Sequence, residues 1–245
     1  MHAATLTDAL LGPLLARDPA RPAVTYYDDA TGERIELSGT TLANWVAKTA
    51  NLLRDECDLE PGGTVAVLLP AHWQTLAVLL GAWWCGAEVV GSPVGADVVC
   101  TDADRLDEAL SAPDTGVVLA FSLHAFGTGL TGLPAGVVDY ATEVRLHGDT
   151  FRPEPGGAAA ALDGADVDKV LAAARAAAAA AGLDDSSRVL TSRNWTVDDG
   201  LLEVPLAVLA AGGSLVQCRN LDPSAADRRA GSERVTHRLG EPTDR

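Results

Sequence analysis

Residues 64–90 read TVAVLLPAHWQTLAVLLGAWWCGAEVV, and this stretch sets the fold class. Val65 to Leu69 is a run of β-branched and aliphatic residues without polar alternation. Such a strand has to be covered on both faces. Pro70 ends it and the period changes. Leu76, Leu79, Leu80 and Trp83 recur at three and four residues, the spacing of one helix face. Gly86 stops the helix where a left-handed cap costs a glycine least. Ala87 to Val90 begins another strand. Strand, helix and strand in that order form a parallel crossover unit.

Working outward, Thr5 to Ala16 predicts a short helix with Leu6, Leu10 and Leu14 on one face. Ala23–Tyr27 and Arg34–Leu37 flank DDATGE, the turn of a hairpin. Ser38 or Thr40 caps a helix running to Arg54, and Pro61-Gly62-Gly63 turns into the central strand. Downstream, strands are expected at 97–100, 116–121, 188–191 and 214–218. Helices are expected at 103–110, 200–210, and from Asp163 or Asp166 to Ala181 with Gly182 as the stop. The predicted fold is a doubly wound, mostly parallel α/β sheet with helices on both faces, preceded by an N-terminal helix and hairpin. Residues 1–221 form the expected domain, irregular over 126–162, and 222–245 a polar tail that frays at its end.

Composition narrows the function classes. Hydrophobic residues make up 47% of the 245, but aromatics only 4%, so the core is built from Ala, Val and Leu. A net charge of −16 argues against nucleic acid or an anionic membrane as partner. Cys57, Cys85, Cys100 and Cys218 form no CxxC pair and no metal-ligand spacing, so no metal site is expected. The N-terminus lacks the basic start of a secretory signal, and no run of 18 apolar residues exists. The cytoplasm is the expected compartment. Trp45, Trp73, Trp83, Trp84 and Trp195 stand at or beside apolar helical positions and read as core or interface.

The stretch RPAVTYYDDATGERIELSGTTLANWVAKTANLL, then LEPGGTVAVLLPAHWQTLAVLLGAWWCGAEVV, resembles the opening of the adenylate-forming (AMP-binding, acyl-CoA synthetase-like) superfamily. GLDDSSRVLTSRNWTVDDGLLEVPLAVLAAGGSLVQC resembles a later stretch of the same N-terminal domain, and SERVTHRLG its strand toward the acyl pocket. The chain is also similar to a family of short actinobacterial proteins of this kind. The resemblance implies a truncated N-terminal domain.

It also implies a Ser/Thr/Gly-rich loop with a lysine that cradles ATP phosphates. The comparable string here is 127–136, GTGLTGLPAG. Gly129, Thr131, Gly132, Pro134 and Gly136 match, but Leu130 replaces a hydroxyl and Ala135 the lysine. An aliphatic side chain cannot solvate a phosphate oxygen. DYATEVRLHGDTF resembles the segment before the loop, which moves the loop position to 155–161, where little but Gly and Ala remains. Lys48 and Lys169 lie in no matching motif, and the family's C-terminal domain with its catalytic lysine has no counterpart. No catalytic residue is therefore assigned, and neither ATP nor magnesium is expected as a cofactor.

Rival constellations are thin. Gly127, Gly129 and Gly132 spell GxGxxG after an apolar strand, with Asp149 further on near the ribose-acid spacing, but the residues that follow start a helix poorly. Glu143, Arg145, His147 and Asp149 alternate as on one strand face, either as acid–base groups or as a solvated ion-paired surface. Ser92 in GSPVG suits a turn, not a nucleophile elbow. The expected function is a non-catalytic binding module for a small molecule or protein; the alternative is an acyl- or aryl-adenylating ligase fragment completed by another chain. Apolar strands with little visible cover predict a bare face at Leu201–Leu209 and 214–218, and a homodimer through it.

Overall fold

A computed structural model describes residues 5–124, 127–154 and 160–240. Thr5 and Asp8 cap each other's amides at the start of α1 (Leu6–Arg17). β1 (Pro22–Asp28) and β2 (Glu33–Ser38) form the expected antiparallel hairpin, with Gly32 at φ 76° in its turn. The Ser38 hydroxyl accepts the Thr41 amide and starts α2 (Gly39–Asp55). Then come β3 (Thr64–Leu68), α3 (Trp73–Trp84) and β4 (Glu88–Val90), with Gly86 at φ 74° closing the helix. β5 (Val98–Asp102), α4 (Leu106–Ser111) and β6 (Val117–Phe121) continue the alternation, followed by β7 (Val137–Asp139) and α5 (Tyr140–Glu143). Asp166 caps α6 (Val167–Ala180). The remainder is β8 (Arg188–Thr191), α7 (Ala207–Ala210), β9 (Ser214–Arg219), α8 (Pro223–Ser232) and β10 (His237–Leu239).

The α/β class with parallel strands, flanking helices and a leading helix and hairpin is present. The strands divide between two five-stranded sheets, β4-β3-β5-β6-β7 and β10-β8-β9-β1-β2. The physical reason lies in α3, where every residue from Trp73 to Trp83 is buried. A helix apolar all round needs cover on all sides, and here it packs with α1 and α2 between the two sheets. β3 shows the alternation that results. Val65 and Val67 face the central helices, while Ala66 and Leu68 face outward beneath Ala109 of α4. On the second sheet Val189 and Leu215 face inward, and Leu190, Val216 and Cys218 face Ala230 of α8.

Three expectations are corrected. The segment expected to be a polar tail holds α8 and β10 as far as residue 240, and β10 pairs in parallel with β8, while its end at 241–245, where fraying was expected, lies outside the described residues. Asp222 caps this helix through the Ser224 amide, and Pro223 at its first position suits a helix start. The face expected to be bare is covered. Leu201, Val204, Leu206, Val208 and Leu209 are buried under α1 and α6, and α8 shields β9 from the other side. The exposed large apolar side chains among the described residues are Val94, Leu110 and Leu146, so the surface that motivated a homodimer is absent there. Finally, Glu143 to Asp149 is no strand. Glu143 ends α5, Arg145 sits in a 3-10 turn at Val144–Leu146, and Asp149 is exposed. Asp139 accepts the Thr142 amide and so starts a helix where alternation alone suggested extended chain.

Candidate ligand cleft

The glycine string at 127–136 is a surface loop between β6 and β7, at the far edge of the first sheet. Gly132 and Gly136 sit at φ 75° and 88°, conformations that favour glycine. Gly129 lies so close to Asp139 and Thr142 that a Cβ would collide with both side chains. Thr131 is exposed. The loop leads into β7 and the four-residue α5, so Gly127, Gly129 and Gly132 do not open a dinucleotide-type helix. Asp139 and Thr142 stand against Gly129, and Arg145 Nη2 donates to Gly127 O of the same loop at 2.8 Å.

A cleft of about 420 Å³ opens instead by the opposite edge strand, β4. Leu162 extends that edge by a parallel bridge to Val89. The Val89 amide donates to Ala161 O, and the Asp163 amide donates to Val89 O at 3.1 Å. Trp83 Nε1 also donates to Ala161 O, and Gly164 N to Glu88 Oε1, both at 2.7 Å. These bonds fix Asp163-Gly164-Ala165-Asp166 as the turn from a short strand into α6. Of the loop position expected at 155–161, residues 155–159 lie outside the described residues, and Ala161 belongs to the bridge.

The facing wall is the 193–203 loop. Trp195 Nε1 donates to Gln217 Oε1 at 2.9 Å, and Gln217 Nε2 donates to Arg193 O at 3.1 Å, so the loop is tied to β9. Pro205 has no N–H to give, and the chain enters α7 through a π-helical turn at Leu202–Leu206. Leu162, Val170, Ala173, Val197 and Leu201 give the cleft an apolar floor, while Asp163, Asp198, Asp199 and Glu203 bring carboxylates to it. Its lysine, Lys169, is paired with Asp166 at 2.8 Å. Arg193 is held by Asp199 at 2.6 Å. The Asp198 carboxylate lies so close to Gly91 that a Cβ there would push it aside. Burial pushes the Asp163 carboxyl above its ordinary value, and the neighbouring Asp198 charge adds to the shift.

A group with a raised carboxylate pKa is less stable charged in the fold than in the open chain, so it lowers stability at neutral pH, and the penalty disappears as pH falls through the folded value. Asp163→Asn is therefore expected to raise Tm slightly at pH 7, on the scale of a few tenths of a kcal/mol for relief of one exposed like-charge contact. A clear fall in Tm would show that the carboxylate makes a stabilising contact.

No protein-family model matches the sequence. A TIGR03089 family protein of Mycobacterium tuberculosis is 53% identical over 241 residues, covering 96% of this chain and 98% of that protein. The chain belongs to the TIGR03089 family. Among solved structures, the fold matches an acyl-CoA synthetase of Brucella canis at TM-score 0.77 and 18% identity, over 98% of this chain and 47% of the other. MatB of Rhodopseudomonas palustris matches at 0.72 and 18%, over 99% and 50%. The anthranilate CoA ligase AuaEII, in complex with anthranoyl-AMP, matches at 0.67 and 16%, over 94% and 47%. This TIGR03089 family member thus has the fold of the N-terminal half of such ligases, and spans about half the length of the solved chains it matches. Sequence reading missed the cleft carboxylates. Asp198 and Asp199 were visible as a pair, but their meeting with Asp163 depends on the bridge at Leu162.

Proposed function

We propose that this TIGR03089 family member is a non-catalytic, small-molecule-binding module on the adenylate-forming fold, with the cleft between α6 and the 193–203 loop as its site. One observation carries the reading. The turn Asp163-Gly164-Ala165-Asp166 that opens α6 at the cleft has carboxylates around it and its lysine already paired. Amide donors with a lysine favour phosphate, whereas clustered carboxylates repel it. The apolar floor suits an uncharged or cationic organic molecule. Neither ATP nor magnesium is a cofactor in this proposal, and the cytoplasm is the proposed compartment. Among the described residues no helix is long and apolar enough to cross a membrane. A second reading, a ligase portion completed by another chain, draws on the roughly twofold length of the CoA ligases that share the fold.

ATP with magnesium separates the two. A ligand at 100 times its Kd stabilises by about 2.7 kcal/mol, a Tm rise of about 5–11 °C for a chain of this size. No rise is expected at millimolar ATP. A dose-dependent rise, or pyrophosphate exchange with any carboxylic acid, would favour the ligase reading instead.

A further inference from the structure

We infer that the cleft between α6 and the 193–203 loop selects an organic cation, a primary amine on an apolar body, and holds its ammonium between Asp163 and Asp198. The inference rests on the cleft being the ligand site and adds the charge of what enters it. The cavity comes first. Its volume of about 420 Å³ is that of a small-molecule site. Leu162, Val170 and Leu201 line it with buried side chains and offer apolar surface to the body of a ligand. Both walls are tied down, one by the Leu162 bridge to Val89, the other by the Trp195 bond to Gln217 at 2.9 Å. A site fixed before binding costs its ligand less in ordering.

Charge decides the class of ligand. The end of β4 brings two carboxylates together from separate walls. The Asp163 amide donates to Val89 O at 3.1 Å, and the Asp198 carboxylate lies against Gly91, two residues further on. The cations at the cleft are spent on other acids. Lys169 pairs with Asp166 at 2.8 Å, and Arg193 with Asp199 at 2.6 Å. Asp163, Asp198 and Glu203 form no ion pair among the described residues.

Two like charges held at one strand end repel each other, and an ammonium placed between them removes the repulsion and gains charge-assisted hydrogen bonds. The raised Asp163 carboxyl, set first by burial and then by the Asp198 charge, agrees with two acids that lack a counter-ion. A bare metal ion fits less well. Among the described residues no three His, Cys, Asp or Glu side chains are grouped so as to hold one. An alkylammonium needs fewer acceptors and lays its carbon body on the apolar floor. The net charge of −16 favours the approach of a cation and opposes that of a phosphate or carboxylate.

The test is an amide NMR titration of the ¹⁵N-labelled full chain at constant ionic strength. The probes are phenethylammonium chloride, phenethyl alcohol and sodium phenylacetate, which share a body and differ in charge. Phenethylammonium should shift the amides of 163–166 and 197–203 saturably, with a Kd about tenfold tighter than the alcohol, the gain of a charge-assisted bond. Phenylacetate should not saturate them. Asp163→Asn and Asp198→Asn should each weaken the amine about tenfold and leave the alcohol unchanged. Both residues are exposed, so these variants should keep the fold. Asp149→Asn removes the same charge from an exposed position outside the cleft lining and should change neither Kd. Equal Kd values for amine and alcohol, an unchanged amine Kd in either cleft variant, or an equal loss in Asp149→Asn overturns the inference and leaves the cleft standing as a binding site. Saturation by phenylacetate overturns it in favour of an anion. No saturable shift with any probe overturns it together with the cleft reading.

Discussion

Replacing Glu233 with alanine is expected to cost about 3–5 kcal/mol and to loosen the C-terminal strand, because it strands charges that are buried together. Glu233 follows α8 and is 8% exposed. Its Oε1 accepts from the Tyr27 hydroxyl and from Arg34 Nη2 at 2.9 Å, and its Oε2 pairs with Arg188. Arg188 also donates through Nε to the Glu233 carbonyl at 2.6 Å, and through Nη2 to Thr25 Oγ1 at 3.0 Å, with Glu36 a further 3.7 Å contact. One carboxylate thereby joins α8 to β1, β2 and β8. Burial alone would raise its pKa, but the bonds from Tyr27, Arg188 and Arg34 outweigh burial and hold it below the ordinary glutamate value of 4.5. A folded pKa below the unfolded one contributes stability above about pH 4.5, and that stability is lost as pH falls through the folded value. The gap between wild type and Glu233→Gln should therefore be largest near neutrality and narrow in acid. Urea denaturation at several pH values measures this, and hydrogen exchange at His237–Leu239 reports the strand. A cost below about 0.5 kcal/mol would mean that the tail is held by apolar contacts alone.

Leu68→Ala is expected to cost about 2–5 kcal/mol through lost burial and the cavity left behind. Leu68 is 1% exposed at the end of β3, opposite Thr101 of β5, and packs with Ala66, Val99, Ala109 and Val118. Two of those four neighbours are alanines, which cannot reach across a gap, so the cavity should persist. Denaturant unfolding measures the loss. A cost under about 0.5 kcal/mol would show that α4 collapses onto the sheet and that this face is plastic.

The first sheet was readable because its signals are local. Val65 to Leu69, the three-and-four spacing after Pro70, and Gly86 each act within a few residues, and each stands where the spacing put it. α3 also carried a sign that the four residues of its one apolar face did not use. Ala77, Val78, Gly81 and Ala82 fill its other sides, so it needed two sheets and not one. The α8 segment, PSAADRRAGS, reads as polar tail because little of its surface is apolar. It is held by what it meets: Ala230 over Val216 and Cys218, and Arg229 against Asp29 at 2.5 Å.

By itself the sequence determined the α/β class, the parallel crossover around β3 and the hairpin, and it narrowed two helix caps to Ser38 or Thr40 and Asp163 or Asp166, since propensity, periodicity and capping operate between near neighbours. Only the tertiary structure decided how strands were shared between the two sheets, that Leu201–Leu209 is covered, and that Asp163 meets Asp198 across a cleft. Those pairings are set by which buried faces meet, and no local spacing encodes that choice.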